Sequence, residues 1–123
     1  MRFKIFFNDE REDYLYVIVI RYMPKIFEYL GIIFFFYSNE HEPIHVHASY
    51  GALENKAEFY IIDGKISEIR IKLVQGKKPL TGSQLKDFED FLASYGDKIV
   101  QKWVDYFVYH KDVNFERITK RLK

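Results

Sequence analysis

Asp63-Gly64 stands between two β-prone runs, Lys56 to Ile62 and Ile66 to Val74, the second alternating through Ile69, Ile71 and Leu73. An Asp-Gly pair accommodates the two positive φ angles of a tight turn, so the segment is expected to be an antiparallel hairpin. A hairpin alone is marginal in water and needs further strands or a covering helix. Both are nearby. Ile44 to Tyr50 alternates and reads as another strand, with Gly51 to Asn55 as the turn that follows it. Ile32 to Tyr37 is a continuous apolar run of strand length, expected to be a central strand buried on both faces. Ser38 to Pro43 between them is polar, ends in proline and reads as a loop.

After the loop Gly76 to Gly82 the apolar period changes. Thr81 and Gln84 have capping-box spacing, so a helix is expected from about Gly82. Leu85, Phe88, Leu92 and Tyr95 follow at helical spacing. Gly96 is expected to end that helix and Asp97 to cap a second, whose stripe of Ile99, Val100, Trp103 and Phe107 runs to about His110. The basic tail from Lys111 to Lys123 is expected to form a closing strand or a short helix. Strands first and helices after predict an α+β fold, with an antiparallel sheet of about four to six strands followed by a C-terminal helical pair packed on one face.

The 123 residues suit one domain. Residues 1–22 are read as an N-terminal extension and residues 23–123 as a single α+β domain. The extension is expected to be a strand hairpin, from Arg2 to Phe7 and Tyr14 to Tyr22, or a misassigned start, because Met23-Pro24 looks like a second start. The absence of cysteine excludes a disulfide scaffold, a thiol nucleophile and a thiolate-ligated metal, and fits a cytoplasmic location. A net charge of +1 provides no global field toward nucleic acid. The apolar runs Tyr14 to Ile20 and Leu30 to Tyr37 fall well short of the roughly 20 residues of a bilayer span, so no membrane association is expected. Twelve Phe and ten Tyr exceed the needs of a small core, so some rings are expected at a binding surface.

The densest chemical feature is Asn39-Glu40-His41-Glu42-Pro43-Ile44-His45-Val46-His47. On a strand, His45 and His47 point to one face about 7 Å apart, and His41 in the preceding loop can fold over that face. His41, His45 and His47 could hold a divalent metal with a position open to water, with Glu40, Glu42 or Glu58 adding a carboxylate. The same three histidines are candidate catalytic residues without a metal, acting as base and acid in RNA cleavage beside a Lys or Arg. Tyr37, Tyr50 and Tyr60 could stack a base. The string also reads as a hydrogen-bonded corner, in which Asn39 and Glu40 satisfy loop amides and Pro43 fixes the turn.

Between Arg70 and Lys86 every charged residue is basic, including Lys77 and Lys78, and the tail adds further cations. If loop and tail meet, they form a basic patch for nucleic acid or an acidic partner; otherwise the charges solubilise loops. Tyr95, Trp103, Tyr106, Phe107 and Tyr109 lie along the helical region, and an aromatic face left over from the core would be a protein-partner site. Candidate binding residues are thus Tyr37, Asn39, Glu40, Tyr50, Lys77 and Lys78.

Met23-Pro24-Lys25-Ile26, the run Gly31 to Ser38 and Asn39-Glu40-His41-Glu42-Pro43-Ile44-His45-Val46-His47 together resemble the bacterial family called domain of unknown function 4160. That family opens with Met-Pro and an apolar-aromatic strand, then carries Asn-Glu-His-x-Pro-x-His-x-His. Lys56-Ala57-Glu58-Phe59 resembles its next strand, and the resemblance covers roughly residues 23–110. It implies half of a small two-gene operon, a toxin–antitoxin-like module whose neighbouring gene encodes a small protein partner. It implies no catalytic residues. Three functions are therefore expected in order: a module component that binds a partner protein; a histidine-based RNA nuclease, with or without a divalent metal; and a DNA-binding regulator using the basic loop and tail.

Overall fold

A computed structural model describes residues 23–37 and 43–122. The expected hairpin in residues 1–22 therefore lies outside the described residues. Six strands form one sheet: β1 (Lys25–Tyr29), β2 (Ile32–Phe35), β3 (Ile44–Tyr50), β4 (Leu53–Ile62), β5 (Lys65–Leu73) and β6 (Glu116–Ile118). Their spatial order is β5-β4-β3-β2-β1-β6. The first five form an antiparallel meander, and β6 pairs parallel to β1. The expected hairpin at Asp63-Gly64 is present, with φ of 52° and 77° at the two turn residues. The Leu30-Gly31 turn between β1 and β2 uses the same pair of positive angles, 50° and 87°.

Among the described residues a single helix, α1 (Gly82–Phe107), covers one face of this sheet. The expected helical pair is not formed, and the reason lies at Gly96. This glycine does not end the helix; it is buried within it, facing Ile66, Phe59 and Ile69 of the β4–β5 hairpin. A Cβ there would lie 3.2 Å from Ile66 Cδ1 and 3.6 Å from Phe59 Cε2. The glycine is thus a packing notch that lets α1 continue across the sheet. At its start, Thr81 makes no side-chain cap hydrogen bond, so the capping-box spacing with Gln84 is not used.

The aromatic residues account for the core. Phe27 and Tyr29 of β1 and Phe34 of β2 surround Phe91 of α1, with ring centroids 5.2, 5.2 and 4.5 Å away. Phe91 stacks in turn on Tyr95 at 4.5 Å. Such pairs add about 0.5–1.5 kcal/mol each beyond their burial. Among the described residues, most of the Phe and Tyr rings are therefore packed between sheet and helix, not on the surface.

The tail takes the strand alternative. Beyond β6, the Leu122 backbone N–H donates to the Tyr29 hydroxyl at 2.8 Å, and Arg121 pairs with Asp87 of α1 at 2.8 Å. Arg117 pairs with Glu28 at 2.8 Å, and Lys102 of α1 pairs with Glu116 at 2.9 Å. These cations hold the tail to the domain. No helix among the described residues is long and apolar enough to cross a membrane.

Candidate functional site

Strand alternation divides β3 into two sets. Ile44, Val46, Ala48 and Tyr50 face the α1 side, and His45, His47 and Ser49 face the other. The pairing register places Phe35 of β2 and Lys56 of β4 beside His47, and Glu58 of β4 beside His45. The two imidazoles lean together, with ring centroids 5.3 Å apart and planes at 69°. Both are buried, His45 at 5% and His47 at 3% exposure.

Each histidine is held through Nδ1. His45 Nδ1 lies 2.9 Å from the Pro43 carbonyl oxygen, and His47 Nδ1 lies 3.0 Å from Glu54 Oε2. A carbonyl and a carboxylate only accept, so Nδ1 carries the proton in both rings, and in a neutral ring Nε2 carries the lone pair. Glu54 Oε2 also accepts from the Tyr37 hydroxyl at 3.0 Å, and Lys77 Nζ lies 3.8 Å from Oε1. A carboxylate this buried is sustained by such charge-assisted bonds. The Tyr37 and His47 rings are in contact at 4.0 Å.

A second polar group lies further along the same face. Glu58 accepts from the Tyr60 hydroxyl at 2.6 Å and lies 3.6 Å from Lys72 Nζ. The Tyr60 bond, helped by Lys72 and Lys56, holds the Glu58 carboxyl below its ordinary range despite the opposing effect of burial. The same bond raises the Tyr60 phenol. Arg70 lies over the Tyr60 ring at 4.5 Å and makes two hydrogen bonds to Glu68, at 2.8 and 3.2 Å.

The structure thus brings together His45, His47, Tyr37 and Lys77 from the residues singled out by sequence. Lys78 contributes its backbone, whose carbonyl accepts from Glu54 N–H at 2.9 Å. Tyr50 is not brought to the histidines: it lies on the opposite face, packed over Gly31. Asn39, Glu40 and His41 lie outside the described residues, so the three-imidazole arrangement cannot be assembled from those described. Among the described residues no group of three or more His, Asp or Glu side chains is placed to hold a metal ion. Sequence reasoning misses two residues. Glu54 is the acceptor on which the site is organised, and Asn55 ties the loop before α1 to the sheet by accepting from Leu80 N–H at 2.8 Å. Both fall in a segment that reads as a turn. The usable signal is alternation: a strand begun at Leu53 puts Glu54 on the same face as Lys56 and Glu58.

A groove of about 670 Å³ opens on the other side of the sheet, between α1 and the β4–β5 hairpin, lined in part by Ile66, Ile69, Leu92, Gly96 and Val100. It does not communicate with the histidine face.

A family model described as Domain of unknown function (DUF4160) matches residues 31–104. The match runs from the β1–β2 turn to the last turns of α1 and includes Tyr37, His45, His47, Glu54 and Lys77. No curated protein and no solved structure matches the chain.

Proposed function

The chain belongs to the DUF4160 family, and on that premise we propose that it is the binding component of a small two-gene, toxin–antitoxin-like module and engages a small partner protein. One observation carries this reading. Val108, Tyr109 and Phe115, in the segment between α1 and β6, remain 52%, 60% and 43% exposed, whereas Trp103 is buried and Tyr106 and Phe107 at the end of α1 pack against the core. Lys111 lies over the Tyr109 ring at 5.5 Å and Arg117 over the Phe115 ring at 5.8 Å. Exposed Tyr109, Phe115 and the Arg117 beside it are of the residue types enriched at interface centres. The histidines support the same reading, since both are buried and engaged through Nδ1.

The test is co-expression with the product of the adjacent gene. Co-purification is expected, and Tyr109→Ala with Phe115→Ala should weaken the complex about tenfold or more. A chain that ignores that partner, or a complex indifferent to both substitutions, overturns the reading.

A second reading, RNA cleavage by the histidines with or without a divalent metal, is favoured by the His47–Glu54 contact at 3.0 Å. A carboxylate on Nδ1 orients an imidazole and stabilises its protonated form, as a general base requires. Lys77 adjoins the same carboxylate and could meet a phosphate. Cleavage of RNA by the purified chain, lost in folded His45→Ala and His47→Ala variants, is the expected result; equal activity in those variants eliminates it.

A further inference from the structure

The two edges of the sheet are unlike. At one, β6 is three residues long, and Glu116 and Arg117 are engaged by Lys102 and Glu28. At the other, β5 runs for nine residues and, among the described residues, has a strand neighbour on one side only. Its pairing with β4 slips after Tyr60, so that Ser67 has no opposite residue, and from Glu68 to Leu73 the ladder is regular. Glu68, Arg70 and Lys72 lie on the histidine face of that regular stretch, and Ile69, Ile71 and Leu73 on the α1 face. The helix does not reach the end of this row: Ile71 is 37% and Leu73 71% exposed. A long edge with an uncovered apolar row is a template for another strand.

We propose that the occupant is a second copy of this chain, paired β5 to β5 in antiparallel fashion about a two-fold axis. The charge pattern argues for a copy and sets the register. Residues opposite each other must share a face, so partners on the two strands differ by an even number of positions. With Ile69 opposite its own copy, Glu68 of each protomer faces Arg70 of the other, and both symmetric pairs attract. Moving the axis to Arg70 sets that cation against itself between two Glu68–Lys72 pairs, and moving it to Lys72 or Glu68 likewise sets a charge against itself. Moving it to Ile71 sets Arg70 against Lys72. Of these registers only the Ile69-centred one has no like-charge pair. Like charges directly opposite destabilise a ladder, so the Ile69-centred register is selected. In it Ile69 meets its own copy, Ile71 of each protomer falls opposite Ser67 of the other, and the slip at Ser67 ends the shared ladder on each side.

The test is solution mass by light scattering and sedimentation. The parent chain is expected to be a dimer. Glu68→Arg and Arg70→Glu, each alone, should raise the dissociation constant about tenfold, because each replaces two attractive pairs with two repulsive ones. Mixing these two variants should restore a dimer. The arginine introduced in one then faces the glutamate introduced in the other, while the native Arg70 of the first and the native Glu68 of the second also attract. The mixture separates interface from folding, because each protomer keeps its own broken Glu68–Arg70 contact. A parent chain that is monomeric at every concentration overturns the proposal, as does a dimer insensitive to all these changes or a mixture that fails to reassemble.

Discussion

His47 Nδ1 and Glu54 Oε2 lie 3.0 Å apart on adjacent strands, and Glu54 Oε2 also accepts the Tyr37 hydroxyl. The bond joins two nearly buried groups, each of which would be costly to bury without the other. Glu54→Ala strands two donors in the interior. It is expected to lower stability by about 2–4 kcal/mol. Glu54→Gln, which keeps one acceptor oxygen, is expected to cost less. Urea titrations of the three proteins measure both; an unchanged midpoint for Glu54→Ala would show that the network contributes nothing to the fold.

At Gly96 two effects oppose each other. Alanine gains about 1 kcal/mol of helix propensity over glycine. Its Cβ, however, meets the tip of Ile66 at 3.2 Å. Ile66 is half-buried at the rim of the groove and can turn aside. Gly96→Ala is therefore expected to change stability by less than about 1 kcal/mol, whereas Gly96→Val, whose extra methyls reach Phe59 and Ile69, should destabilise by about 1–3 kcal/mol. Thermal unfolding compares the two. Equal effects would remove the notch as the reason for glycine here.

Glu58 is expected to make the fold acid-sensitive. Its folded carboxyl is held below the ordinary range, first by the Tyr60 hydroxyl. Its stabilisation is therefore complete above the unfolded carboxylate value of about 4.3 and is lost as pH falls through the depressed folded value. Tyr60→Phe removes the largest cause. It should lower stability near neutrality and flatten the loss of stability on acidification. Parallel curves for the two proteins between neutrality and acid would refute the assignment to Tyr60.

Asn55 spans two segments. Its amide nitrogen donates to the Lys72 carbonyl at 3.0 Å, and its amide oxygen accepts from Leu80 N–H at 2.8 Å. Asn55→Ala leaves the buried Leu80 amide unsatisfied and should cost about 2 kcal/mol. Hydrogen exchange should quicken at Leu80 more than at amides of β1. Uniform quickening across the domain would mean that Asn55 supports the whole sheet instead of the loop.

The parts of this fold that can be read from sequence are those governed by local chemistry. Asp63-Gly64 announces its hairpin because few other residue pairs accept two positive φ angles. Alternation alone places His45 and His47 on one face. The parts that cannot be read depend on contacts between distant segments. β1 escapes recognition because a bulge between Lys25 and Phe27 buries the adjacent Ile26 and Phe27 together, which erases the alternation. Gly96 carries the same local signal whether it ends a helix or admits a neighbouring strand, and only the sheet distinguishes the two. Glu54 and Asn55 resemble turn residues in isolation. Their burial follows from the Tyr37, His47 and Leu80 groups that the fold delivers to them.

The matched stretch stops at residue 104, yet the chain after it supplies β6, the Arg121–Asp87 pair and the donor to the Tyr29 hydroxyl. The unit recognised by family likeness is thus smaller than the unit that folds. A protein trimmed to that stretch would lose β1 as well as β6, bare the edge of β2 and take the Phe27 and Tyr29 rings away from Phe91. Boundaries drawn for expression or for fusion should therefore follow the sheet and retain the chain through Leu122.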